Sequence, residues 1–266
     1  MTRWTERAVL ASPNIWNWPE IYERENEAVD ADGALWAALA GVVNWGGADV
    51  VDVGCGDGFH LPRFAQRARS VTGVEPHPPL LIRARHRMRY YPHVRIVAGC
   101  AQRLPLPDFS ADLVHARIAY FFGPGCEPGL AEAQRVLRPG GSVVVIDLDG
   151  TQVPYGGWLC AATPGYRPAA VEAFFAARGF DCHRVDTMWR FHNRGDLEDA
   201  LRIEFPPAVA AQAIAQIPGL AIPVRYRLHT RRASLNPANP ANPDMSPCRE
   251  RNWERGGQED LGWWRT

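Results

Sequence analysis

A carboxylate inside an apolar strand is the first sign of chemistry in this sequence. Asp52 interrupts Val50, Val51 and Val53 just before Gly54, Gly56 and Gly58, in the run V-V-D-V-G-C-G-D-G-F over residues 50 to 59. A charge buried there is costly unless it meets a cation or hydrogen-bond donors at the strand's end. The glycines permit a tight turn and close approach of a ligand to bare backbone, although three glycines alone also suit an ordinary turn. A helix expected after them turns unpaired N–H groups and a positive dipole end toward an anionic group, which is a phosphate or equally a carboxylate. Glu75 ends a second apolar run, 21 residues beyond Gly54. An acid at that place accepts hydrogen bonds from ribose hydroxyls. Strand, glycine turn, helix, strand and acid in this order predict an adenosine-type ligand. A nicotinamide dinucleotide fits less well, because the third position of G-x-G-x-x-G falls on Phe59.

Other side chains carry two readings each. Arg117 closes an apolar strand, where it pairs with a ligand carboxylate or a substrate anion, or lies in solvent. His60 reads as a general base or, more readily, as a polar residue of the first helical turn. Tyr120, Phe121 and Phe122 line an acceptor pocket or simply cover the sheet. Tyr22 and Trp18 turn aromatic faces toward a cation or pack in the core. His115, inside a strand, reads as a satisfied core histidine. Arg83, Arg85, Arg87 and Arg89 are spaced by two residues on an expected helix, which spreads their charge around the axis as a solvated face.

The elements that must position these groups follow from periodicity. Residues 14 to 44 suggest two helical stretches, the first around Trp16, Trp18, Ile21 and Tyr22, the second carrying Leu35, Leu39, Val42 and Val43 with Asp30 and Asp32 before it as caps. From Ala48, short β-branched runs alternate with helical ones, the pattern of a parallel sheet. Strands are expected at 50–53, 70–74, 94–97, 113–116 and 142–146, with helices at 58–69, 79–90 and 127–137 between them. Pro139-Gly140-Gly141 reads as the stop before the fifth strand. A helix at 168–178, a strand at 182–191, two short helices around Leu197 and Ala210 and a strand at 224–230 complete the core. The division is therefore a helical N-terminal cap over 1–46, a core over 47–233 with a helical insertion near 193–218, and a tail over 234–266. N-P-A repeats and sparse aliphatics make disorder the expectation for that tail, while Trp253, Trp263 and Trp264 leave room for docking on a protein partner.

Composition narrows the function. Lys+Arg and Asp+Glu both number 29, so no overall field attracts nucleic acid or an anionic membrane, and a small-molecule substrate is expected. No run reaches the roughly 18 uncharged apolar residues that a spanning helix needs, and a cytoplasmic location is expected. Cys55, Cys100, Cys126, Cys160, Cys182 and Cys248 lack metal-binding or disulfide-framework spacing, so no metal is expected.

The sequence resembles the class I S-adenosylmethionine-dependent methyltransferases, in particular those with a D-x-G-C-G-x-G first motif. Gly99 to Leu106, followed by Phe109, Ala111, Asp112 and Leu113, is similar to that family's G-D-A-x-x-L-P-F and F-D-L segment; Ala133 to Gly141, with R-V-L-R-P-G-G, is similar to its approach to strand five. The resemblance implies a Rossmann-like α/β fold: a seven-stranded, mostly parallel sheet with helices on both faces and an antiparallel last strand. It implies S-adenosyl-L-methionine as cofactor, with Asp52, Gly54 and Gly56 at the methionyl end, Glu75 at the ribose, and Ala101 and Gln102 at the adenine, and with Cys55, Gly58, Pro76 and Cys100 also among the cofactor-binding residues. Tyr22 and Arg117 join this set. Cys100 departs from the family's usual Asp, and a thiol is the weaker acceptor. The reaction implied is methyl transfer to an oxygen, nitrogen or carbon; the aromatic residues Trp16, Trp18, Tyr22, Tyr120, Phe121 and Phe122 on the covering segments predict a small, largely hydrophobic acceptor, with His60, Arg117 and Tyr120 as catalytic candidates. A non-catalytic cofactor-binding protein and a nicotinamide-dependent oxidoreductase are the alternatives.

Overall fold

Valine-rich runs set the frame of the molecule. A computed structural model of the chain describes residues 9–120 and 123–235. Its strands are β1 (Asp49–Val53), β2 (Ser70–Glu75), β3 (Val94–Ala98), β4 (Ala111–Arg117), β5 (Leu137–Leu148), β6 (Asp181–Arg190) and β7 (Ala221–Arg232). They form one seven-stranded sheet in the order β3-β2-β1-β4-β5-β7-β6. β1 to β5 pair in parallel, whereas β7 runs antiparallel between β5 and β6. Because β1 and β4 lie side by side although two strands separate them in sequence, a crevice opens beyond their C-terminal ends. That is where Asp52, the glycines and Arg117 sit.

Helices cover both faces. In the N-terminal cap, α1 (Pro13–Asn17), α2 (Pro19–Ala28) and α3 (Ala34–Val42) replace the two expected stretches. Asp30 accepts hydrogen bonds from the Leu35 and Trp36 N–H groups at 2.8 and 3.2 Å, as a cap for α3, while Asp32 pairs with Arg190 instead. Along the core follow α4 (Leu61–Ala65), α5 (Pro78–Arg87), α6 (Glu127–Val136), α7 (Tyr155–Ala162), α8 (Pro168–Ala176), α9 (Arg194–Glu204) and α10 (Pro207–Gln216).

Three local expectations are corrected. α4 begins only at Leu61, because residues 55–60 form turns in which the Gly58 and Phe59 N–H groups bond Cys55 O and Asp57 Oδ1. Pro139, Gly140 and Gly141 lie inside β5 rather than before it. There Gly140, at φ +78, and Gly141 exchange backbone bonds with Ala233 at the end of β7. α7 was not foreseen. Trp253, Trp263, Trp264 and most of the tail lie outside the described residues.

Candidate functional site

The crevice at the switch between β1 and β4 is a cavity of about 220 Å³. Its floor is Asp52 to Asp57, its sides come from Glu75 and Pro76 after β2 and from Cys100 to Gln102 after β3, and its far wall is Arg117 to Tyr120. The cap closes it with Ile15 and Trp16 of α1 and Tyr22 and Asn26 of α2. Trp16 stacks on His77, with centroids 4.2 Å apart, and so seats α1 on the loop after β2.

The glycine loop is held from below by β2 and from the side by an acid. Val74 O accepts from the Gly54 and Cys55 N–H groups at 2.8 and 3.1 Å. Glu75 Oε2 accepts the Gly56 N–H at 3.0 Å, and its Oε1 accepts the His77 N–H at 2.8 Å. The N–H groups of Gly58 and Phe59 go to Cys55 O and Asp57 Oδ1. So the loop does not offer the row of free N–H donors expected of an anion cradle. The charged groups on this side of the cavity are instead carboxylates: Asp52, Asp57 and Glu75, each at most 4% exposed. Burial pushes the Glu75 carboxyl up to about 7, against the pull of its two N–H donors. Each of its oxygens accepts one backbone bond and keeps a further lone pair.

Asp52 and Asp57 each have a partner. His115 Nδ1 donates to Asp52 Oδ1 at 2.6 Å across the β1–β4 register. Asp57 Oδ2 accepts from Arg87 at 2.7 Å, and the same guanidinium nitrogen reaches Glu23 of α2 at 2.8 Å. Arg83 pairs with Glu20 at 2.7 Å. Two of the four arginines read as a solvated face therefore clamp the cap to α5.

On the opposite wall, Arg117 is half-buried rather than lying free in solvent, and its guanidinium stands over the Tyr226 ring at 5.5 Å. Burial, reinforced by Arg117, His115 and Arg63, pushes the His60 imidazole well below its ordinary value, so it is neutral near pH 7. Tyr120 donates to Gly129 O at 3.3 Å, and burial raises its phenol, so it stays protonated and does not act as a base. Ile118 adopts φ +50, a strained conformation for a β-branched side chain of the kind that concentrates at ligand sites.

Of the residues singled out from sequence, Asp52, Gly54, Cys55, Gly56, Glu75, Pro76, Cys100, Ala101, Gln102, Arg117, Tyr22, His60 and Tyr120 all border this cavity. Gly58 does not. At φ +83, a Cβ on it would lie 3.3 Å from Ala84, so its bareness serves the packing of α5. Trp18 is 55% exposed and does not fold over the pocket. Residues 192–218 also do not line it. Phe121 and Phe122 lie outside the described residues. Sequence reasoning passed over Asp57, Asn26 and Cys126, which also border the cavity. Only the D-G pair in the loop hinted at Asp57.

Residues 51–145 match the methyltransferase domain family. Over these residues the chain is similar to the class I S-adenosylmethionine-dependent methyltransferases. Over 100 residues it is 36% identical to a Mycolicibacterium smegmatis protein described as a probable S-adenosylmethionine-dependent methyltransferase, an alignment covering 37% of each chain. It is 33% identical over 103 residues to the demethylmenaquinone methyltransferase of Tropheryma whipplei, covering 38% of this chain and 42% of that one. Each of these alignments therefore spans less than half of the relative. The fold is similar to that of the YcgJ protein from Bacillus subtilis, with a TM-score of 0.57 at 16% identity, over 74% of this chain and 97% of that protein. S-adenosylmethionine is the cofactor that the family implies, and the cavity fits it. Exposed Gly54 leaves backbone open, Glu75 keeps lone pairs for hydroxyl donors, and buried carboxylates suit a ligand bearing an ammonium and a sulfonium.

Proposed function

We propose that this protein transfers the methyl group of S-adenosylmethionine to a small, largely apolar acceptor with one nucleophilic atom. The observation that carries this reading is the acid-rich, donor-poor glycine loop. Its N–H groups at 54, 55, 56, 58 and 59 are all bonded within the protein, and three carboxylates stand beside them. Such a wall repels the pyrophosphate of a nicotinamide dinucleotide and favours ribose hydroxyls and cationic groups.

In this reading Glu75 accepts from the ribose, Asp52 faces the methionyl ammonium, Arg117 takes the carboxylate, and Cys100, Ala101 and Gln102 border the adenine. The bound cofactor supplies an already activated methyl carbon, so holding an acceptor in line about 3 Å away accounts for much of the rate. Ile15, Trp16 and Tyr120 form the apolar wall that orients such an acceptor and excludes water. In this reading His60, which borders the cavity, takes the proton that an attacking hydroxyl or amine releases. The similarity to a demethylmenaquinone methyltransferase supports an apolar acceptor.

Calorimetric titration with S-adenosylmethionine, S-adenosylhomocysteine and NAD, followed by label transfer from methyl-labelled cofactor into a metabolite extract, tests the reading. Binding of the first two and a labelled small apolar product are expected. Tighter binding of NAD, or label recovered only in RNA, DNA or no product, would overturn it.

A further inference from the structure

We propose that His115 is a positioning residue for the cofactor site: with its proton on Nδ1 it holds the Asp52 carboxylate in place facing the cavity. The inference rests on the S-adenosylmethionine reading of that cavity. Asp52 borders the cavity at 4% exposure, and His115 behind it is 1% exposed. The parallel register of β1 and β4 sets the two residues side by side, on the sheet face covered by α4, where Phe64 packs edge-on against the imidazole at 4.9 Å. The 2.6 Å bond from Nδ1 to Oδ1 supplies the donor that a carboxylate in an apolar strand requires.

The tautomer follows from what surrounds the ring. His115 Nε2 is buried and has no hydrogen-bond partner among the described residues. With one proton, on Nδ1, the ring leaves a bare acceptor in that place. A second proton would leave a charged N–H unpaired in the core, which costs more. Asp52 needs the help, because Glu75 and Asp57 place like charge on its side of the cavity and the Cys55 thiol adds no cation. Arg117 and His60 face the histidine's side. Without the Nδ1–H donor, Asp52 Oδ1 loses its hydrogen bond and the carboxylate its fixed orientation toward the cofactor's ammonium.

The position of the donor on the ring makes the test specific. In His115→Asn the amide nitrogen falls near the place of Nδ1, whereas in His115→Gln it reaches the place of Nε2; His115→Leu removes the donor. Calorimetry with S-adenosylhomocysteine should find the Asn variant within about threefold of wild type and the Gln and Leu variants weaker by about tenfold or more. Nitrogen NMR of the cofactor-free wild-type protein should show His115 protonated on Nδ1 only. Wild-type affinity in a folded Gln or Leu variant, an Asn variant no better than Gln, or an Nε2–H signal would overturn the proposal. If the Leu variant does not fold, the Asn and Gln pair decides. A wild-type protein that binds neither S-adenosylmethionine nor S-adenosylhomocysteine would remove the function and this role together. The NMR signal, read without cofactor, would still show whether the Asp52–His115 pair itself is as described.

Discussion

Glu75 serves the loop and the ligand with the same two oxygens. It locks Gly56 and His77 through their N–H groups, and it retains lone pairs toward the cavity. Burial raises its carboxyl to about 7, so near neutral pH a share of the free protein carries it protonated. Ribose hydroxyls prefer the carboxylate, so cofactor binding displaces that proton. Affinity for S-adenosylhomocysteine should therefore rise with pH up to about 7 and level off above it. Glu75→Gln should lower affinity by about 1.5 to 3 kcal/mol, roughly ten- to a hundredfold, and remove the slope. Calorimetry across about two pH units on either side of neutrality checks both; a flat wild-type profile would refute the linkage. Asp52 and Glu75 were legible in the sequence because each stands out at the end of an apolar strand. Asp57 was not, because an Asp among glycines is ordinary turn chemistry. Gly58 was misplaced for a related reason: spacing shows that a Cβ is missing, not whether ligand or helix fills the space.

At the level of elements, the sheet was legible and the cap's attachment was not. Valine runs separated by helical stretches fix the order of β1 to β5, since their alternation leaves few ways to bury both sheet faces. α7 escaped because Y-G-G-W-L-C-A-A opens with two poor helix formers and shows no polar face. α5 shows how charge spacing misleads. Its arginines do spread around the axis, yet the cap's Glu20 and Glu23 come to meet two of them. Arg87 joins Glu23 on α2 to the buried Asp57 of the loop, so Arg87→Ala frees the cap and strands a carboxylate. We expect a loss of about 1 to 3 kcal/mol in stability. At this chain length that is roughly 3 to 10 °C in Tm. Hydrogen exchange should quicken in α1, α2 and residues 55–60. Arg85→Ala, an exposed neighbour on the same helix, should leave both unchanged. Equal effects from the two variants would show that general helix charge, not the clamp, holds the cap.

Across the whole molecule, the insertion reaches the site only through the cap. The acids of residues 192–218 turn to other partners, and sequence cannot tell which neighbour an insertion packs against. Asp196 and Asp199 bind Arg24 at 2.8 and 3.4 Å. Glu198 turns to Arg194 and Arg202, and Glu204 accepts from Asn14 of α1 and, at 3.2 Å, from Tyr155 of α7. Glu204 shares its buried place with Glu25 of α2, whose Oε2 has no hydrogen-bond partner among the described residues. Burial pushes both carboxyls above the ordinary glutamate range, and the neighbouring Glu204 raises Glu25's cost of ionising further. Groups raised on folding bind more protons in the folded chain. Their contribution is therefore fully present below the unfolded value of about 4.3 and is lost as pH rises through the folded values. Cap docking should accordingly weaken from acid toward neutral pH. Glu204→Gln keeps an acceptor for Asn14 but cannot ionise, so it should flatten that decline and raise Tm near pH 8 by roughly 2 to 4 °C, the equivalent of about 1 kcal/mol. Melting curves of the variant and wild type at about pH 5 and 8 measure it. A variant that melts below wild type at pH 8, with an undiminished pH slope, would mean that Glu204 stays ionised against a cation and that the cap is held by attraction rather than by a shared proton.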